Sequence, residues 1–304
     1  MSASILTETA RRSRTDVPRR NRGRRPSAAR KFFTKLPTTI LVTLLLFVVV
    51  YPLIWLLLGS FKSNREFLEE PVWSLPSTLN FDNYVEAWNT GNIAQYATNS
   101  ILSVFPALIL IILLGTAAGF ALEVLVWKGR NTVLLAFLVG IMVPSQMILL
   151  PLFTVYFQTG LTGTLWPLII TYTAIGLPLT VFMMATYFRA IPKEVFEAAT
   201  LDGAGVIRTF FLVAMPMVSN AIFTVALVQF FFIWNDLLIA LTFTNSSDLR
   251  TIQVGLLNFS GEFGSTNYGP LFAAICINVF GTLALYLILN QRVQKGLTAG
   301  SVKG

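Results

Sequence analysis

The sequence predicts an all-α, polytopic membrane protein with six transmembrane helices, on three observations. Of the 304 residues, 55% are hydrophobic and 12% charged, where a typical soluble domain carries about 25% charge, and mean hydropathy is +0.69. The charges leave uncharged runs at 36–61, 87–122, 131–188, 209–247 and 263–291, to be compared with the about 20 helical residues that cross a bilayer core of about 30 Å. Lysine and arginine are also spread very unevenly over the segments between those runs.

Taken in order, residues 1–35 form a basic, disordered tail, and Arg19-Arg20, Arg22 and Arg24-Arg25 lie there among Pro, Ser and Gly. Such a tail fixes the orientation of the first helix and touches anionic lipid; nucleic-acid binding is the weaker reading. The run 36–61 suits one tilted span at about 38–60, too long for the apolar core of a cleaved signal, so it is expected to stay as an anchor. The second run opens with polar residues, which places its span at about 99–123. The long run 131–188 has a turn-like centre at Gln158-Thr159-Gly160-Leu161-Thr162-Gly163-Thr164 and so divides into spans at about 131–156 and 164–188. The last two spans are expected at about 217–241 and 270–290, which makes 36–304 one six-helix transmembrane domain.

With the amino terminus inside, the inner segments hold 19 Lys and Arg and the outer loops hold three, Lys62, Arg65 and Arg250. By the positive-inside rule both termini are cytoplasmic, in a multi-pass protein of a cell membrane. Catalytic chemistry has few residues to work with. There is no His, the single cysteine, Cys276, lies inside the last span as a packing residue, and no G-x-x-x-x-G-K-[ST] loop is present, so no metal, disulfide or resident nucleotide is expected. The chain is not expected to be an enzyme.

Against this background the cytoplasmic segment of about 190–216 is a polar island. Pro192 suits the start of a short amphipathic helix carrying Glu194, Glu197 and Asp202, and Gly203 can adopt positive φ and turn the chain into a second helix at about 206–215 that ends near Pro216. Three carboxylates in nine residues are poorly placed against an anionic leaflet and better placed against a basic protein surface; a partnerless interfacial connector is the weaker alternative.

The stretch Glu197-Ala198-Ala199-Thr200-Leu201-Asp202-Gly203-Ala204, with Phe210 and Pro216 after it, resembles the EAA coupling motif of permease subunits of bacterial ATP-binding-cassette importers. Asn80-Phe81-Asp82-Asn83-Tyr84, Asn99-Ser100, Trp234-Asn235-Asp236 and the ending Lys295–Gly304 are similar to the sugar-importing branch, specifically the G-type permease of maltose and oligosaccharide systems. The likeness covers about 36–304. It departs at Asn220, where many members carry a second proline. The resemblance implies a MetI-like, type I importer permease fold. It also implies a heterodimeric partner permease, two ATPase subunits that bind the ATP, and an extracytoplasmic solute-binding protein that delivers a sugar. By position it implies that Glu197 pairs with a basic group on the ATPase, that Ala198 and Ala199 allow close approach, and that Gly203, Asp202 and Pro216 shape the lever. The terminal segment 295–304 resembles a tail that also reaches the ATPase.

The substrate pathway is read from the fifth span, where Phe231, Trp234, Asn235 and Asp236 combine aromatic faces with hydrogen-bonding groups suited to a sugar, while Trp234 also fits an aromatic belt. Gln146 and Asn278 read as interhelical hydrogen bonds and Glu123 as a solvated end group. The outer loops 62–98 and 244–269, with Trp73, Trp88, Asn258, Phe259, Glu262 and Tyr268, suit either reception of the binding protein or ordered surface structure. Two other functions stay open: the same kind of permease for a glycerophosphate or polyol, and a secondary transporter working alone. The latter would be expected to show inverted repeats and several ionisable groups at mid-membrane. The sequence has no evident repeat and one such candidate, Asp236.

Overall fold

The computed structural model describes residues 28–259 and 266–300. The expectations for the tail up to 27, for Glu262 and for 301–304 fall outside them. Two compact units divide at Leu53. The first contains most of helix α1 (Ala28–Gly59), whose segment Pro37–Gly59 is long and apolar enough to span a membrane. Helix α1 begins inside the expected tail because Ala28, Ala29, Arg30 and Lys31 are strong helix formers that extend a helix already nucleated by the apolar run.

The second unit opens with α2 (Asn64–Glu69), started by a capping box between Ser63 and Glu66, and α3 (Asp82–Asn89). Helix α4 (Ile93–Glu123) starts six residues before the expected span. Its polar first turns are anchored rather than solvated: Asn99 Nδ2 donates to the carbonyls of Asp248 and Arg250 at 2.7 and 3.0 Å, and Gln95 Nε2 to that of Asp248 at 3.1 Å. The expected span 131–156 is not one helix. It is α5 (Arg130–Met142) and α6 (Ser145–Gln158), bent by 97°. Pro144 supplies no amide hydrogen and drives Val143 out of the helical region, to φ −75°, ψ 117°.

Helix α7 (Trp166–Arg189) is followed by α8 (Lys193–Leu201) and α9 (Val206–Thr209). The chain then passes through a π-helical turn at Phe210–Ala214 into α10 (Met215–Met217) and, after a 77° bend, into α11 (Ser219–Trp234). The expected fifth span of 217–241 is therefore also broken, and its last part is a separate helix α12 (Leu238–Phe243). Helix α13 (Ile252–Gly255) lies in the following loop, and α14 (Tyr268–Gly300) extends ten residues past the expected end of the sixth span. Among the described residues, four helices are long and apolar enough to cross a bilayer, or six spans if each bent pair counts as one, which makes this a multi-pass membrane protein.

The frame is the pair α4 and α7. A Cβ on Gly115 would run into Thr180 Cγ2, and one on Gly119 would meet the Ala185 backbone nitrogen at 2.9 Å, so glycine is what lets these helices lie so close. Helix α4 touches three apolar clusters in sequence. Ile93 and Tyr96 join Ile252, Phe259 and Ala273 at one end. Val104, Ala107 and Ile111 join Leu168, Tyr172, Phe230 and Ile233 in the middle, and Phe120 joins Phe188, Phe196 and Phe210 at the other end.

Candidate functional site

The short helix α8 is amphipathic in fact as well as in pattern. Phe196 and Ala199 are buried, while Glu194, Glu197, Ala198, Leu201 and Asp202 are exposed. Phe196 seats the helix on the membrane-embedded frame, with its ring edge-on to Phe120 at 6.0 Å. Phe120 also packs edge-on to Phe188 on α7 at 5.7 Å and lies 5.3 Å from Phe210 on the π turn. One ring on α4 thus receives both arms of the cytoplasmic loop expected at 190–216. Ala199 faces inward, so of the two alanines only Ala198 is exposed.

Helix α8 ends in a Schellman motif. The Ala204 amide donates to the Ala199 carbonyl at 2.9 Å, and the Gly203 amide donates to Thr200 at 3.0 Å. Gly203 sits at φ +77°, and a Cβ built on it would meet nothing within 4 Å. Asp202 precedes it as the exposed cap residue. Past the elbow, the Met215 amide reaches back five residues to the Phe210 carbonyl, closing the π turn just before Pro216, and the helix breaks at Val218. Asn220 stands exposed at the start of α11, and the 77° bend is present without a proline there.

Between the elbow and the ends of α4 and α7 lies a cavity of about 600 Å³. Glu123 and Arg189 meet on its wall through two hydrogen bonds of 2.9 and 3.1 Å. Glu123 is therefore an ion-pair partner, not the solvated end group expected from sequence. The 66-residue separation gave no local signal of it.

The residues expected to line a pathway are largely engaged within the chain. Trp234 donates its indole N–H to Asn278 Oδ1 at 3.1 Å and stacks on Phe230 at 5.3 Å, which bears out the interhelical reading of Asn278. Asp236 accepts the Tyr172 hydroxyl and the Ala240 amide, each at 3.0 Å, and so joins α7 to the start of α12. Phe231 packs against Tyr286 at 6.0 Å, and Asn235 is exposed, accepting from Gln253 Nε2 at 3.3 Å. Gln229 lies on the same helix, α11. It is buried and donates to the Gly176 carbonyl at 3.0 Å and Thr180 Oγ1 at 2.9 Å, tying α11 to α7.

The segment 62–98, expected on the outer side, is held by Glu66, which accepts from the Ser77 hydroxyl and amide and from the Ser63 amide. Those bonds, the Ser77 hydroxyl's above all, lower its carboxyl pKa to about 2.

Residues 111–295 match the family described as binding-protein-dependent transport system inner membrane component. The chain is 35% identical over 257 residues to the diacetylchitobiose uptake system permease protein NgcG of Streptomyces coelicolor, a match covering 84% of this chain and 85% of that one. It is 31% identical over 264 residues to the trehalose/maltose transport system permease protein MalG of Thermococcus litoralis, covering 86% and 94%. In fold it is similar to a solved bacterial ABC transporter involved in the import of the acidic polysaccharide alginate. The TM-score is 0.76 over 88% of this chain and 99% of that one, at 18% identity.

Proposed function

This chain belongs to the binding-protein-dependent transport system inner membrane components and has the all-α, MetI-like fold of ABC importer permeases, and on that premise we propose that it is one permease of a sugar importer. It forms the translocation pathway with a second permease, receives a disaccharide or oligosaccharide from an extracytoplasmic binding protein, and is driven by two ATPase subunits that bind the ATP. Both termini lie in the cytoplasm. Relatives named for diacetylchitobiose and for trehalose/maltose support the choice of cargo class.

The observation that carries the coupling role is the elbow. Glu197, Ala198 and Asp202 are exposed on a short helix whose other face is fixed by Phe196, and Gly203 at φ +77° joins it to the arm that leads through Pro216 into α11. Closure of the ATPase subunits on ATP would move this lever, with Glu197 held by a basic group. Because Asp236 and Trp234 are engaged in joining helices, the partner permease carries most of the sugar contacts, and Phe231 and Asn235 are what this chain has left to offer.

Reconstitution of the complex with its binding protein, followed by uptake of labelled disaccharides, tests the assignment. ATP-dependent uptake that needs the binding protein supports it, whereas uptake by this chain alone without ATP contradicts it. A second cargo reading, a glycosylated glycerol, draws support from a 30% identical relative in Agrobacterium fabrum, the sulfoquinovosyl glycerol transport system permease protein SmoH; the same uptake assay separates the two.

A further inference from the structure

The cavity of about 600 Å³ beside the elbow has the size of a ligand site, and its lining has two chemistries. Its floor is apolar, built on the rings of Phe120, Phe188 and Phe196. Its walls carry three cations, Arg130, Arg189 and Lys193, against two carboxylates, Glu123 and Glu197. Glu123 and Arg189 neutralise one another at 2.9 Å. Arg130 is held at the wall by an Nη1 donation to the Leu125 carbonyl at 3.1 Å, which leaves its other N–H groups for an anion. Arg130 opens α5 and Arg189 closes α7, both at the helix ends next to the cytoplasmic loop.

We infer that this cavity binds the phosphate headgroup of an anionic phospholipid of the inner leaflet, with Arg130 and Lys193 on the phosphate and the aromatic floor under the first part of the acyl chains. A basic pocket at the cytoplasmic ends of transmembrane helices suits such a headgroup. The apolar share of the lining distinguishes a lipid from a free phosphate, because exposed Val126 and Val206 line the cavity too and would gain nothing from a wholly polar anion.

Glu197 gives the site a regulatory sense. As a cavity-wall carboxylate it repels the phosphate, and a basic group of the ATPase that pairs with it removes that repulsion. Lipid binding and ATPase docking are then mutually favourable, and each strengthens the other by the same factor. That coupling rests on the proposed role of Glu197; binding of the lipid does not.

Binding is therefore measured directly on the purified full chain in neutral detergent, by native mass spectrometry and by titration with fluorescent phosphatidylglycerol, with no transport step. Phosphatidylglycerol should bind well ahead of phosphatidylcholine. Lys193→Gln should weaken it about fivefold, and adding Arg130→Gln should weaken it further, at about one such factor per cation removed. Glu197→Gln should tighten it several-fold, and Arg65→Gln in the outer loop should leave it unchanged. Unchanged affinity in the Lys193→Gln/Arg130→Gln double variant would overturn the site, as would equal binding of phosphatidylcholine. Equal competition by soluble glycerol phosphate would overturn the lipid in favour of a free phosphate. Failed sugar uptake with these binding shifts intact would count against the transport assignment and not against the lipid site.

Discussion

Replacing Gly203 separates backbone conformation from crowding. The residue lies at φ +77° with open space where a Cβ would go, so a side chain clashes with nothing inside the chain. The penalty is conformational alone, about 1–2 kcal/mol for an ordinary L-residue in the left-handed region and less for Asn, which visits it readily. Such a penalty shifts the balance between the observed elbow and an unwound one by about 5- to 30-fold, and it falls on two hydrogen bonds of the Schellman motif, not on the membrane-embedded core. Gly203→Val should reach the membrane at normal level and melt normally in detergent, yet lose most ATP-driven uptake in proteoliposomes. Gly203→Asn should keep most of it, with Gly203→Ala in between. Wild-type uptake by Gly203→Val would refute the lever. Equal loss in all three would refute the φ argument and point to a partner surface pressed against this residue.

Substitutions at Gly119, Glu66 and Asp236 test the rest of the structure. Gly119→Ala places a methyl 2.9 Å from the Ala185 backbone nitrogen, which cannot move aside, and should cost about 1–3 kcal/mol as a lowered detergent melting temperature, whereas Gly281→Ala meets nothing and should cost nothing. The Glu66 carboxyl is lowered from 4.5 to about 2, so its contribution is complete above about pH 4.5 and is lost as the pH falls toward 2. Pepsin cleavage within 63–77 should rise over that window in the wild type and be high already at pH 4.5 in Glu66→Ala. Asp236→Asn keeps an acceptor for Tyr172 and the α12 amide and should retain uptake, whereas Asp236→Ala should lower both melting temperature and uptake; loss of uptake in Asp236→Asn at unchanged stability would return the carboxylate to the transport pathway.

The loop at 190–216 was legible in the sequence because its signals are local: Pro192 before a short amphipathic run, Gly203 where φ must be positive, Pro216 at the far end. The broken spans were missed although Pro144 was in plain view, because hydropathy registers an apolar run and is blind to a 97° bend within it. The early start of α4 was hidden for another reason. Asn99 and Gln95 look like loop residues until carbonyls about 150 positions away satisfy them. The pair of Glu123 with Arg189 and the bonds of Trp234 to Asn278 join different helices, and such partners emerge only from the packing.

On the proposed function, that packing is the route by which a push on the nine-residue helix α8 would reach the long helices. Phe196 and Phe210 belong to the two arms of the elbow, and both bear on Phe120, so tilting α8 presses on the end of α4. Helix α4 cannot yield alone, because Gly115 and Gly119 bring it into near-backbone contact with α7, and Gln229 ties α7 to α11. The compliant points lie elsewhere: the π turn at Phe210–Ala214, where the helical ladder is already loosened, and the break at Val218. A rotation driven at α8 would then be absorbed between the elbow and α11, while α4 and α7 would carry it together toward the far cluster, where Tyr96 rests against Gly255 and receives a hydrogen bond from Asn258. Asn220 fits this mechanics. A second proline is not needed to bend a chain that Pro216 and the π turn have already loosened.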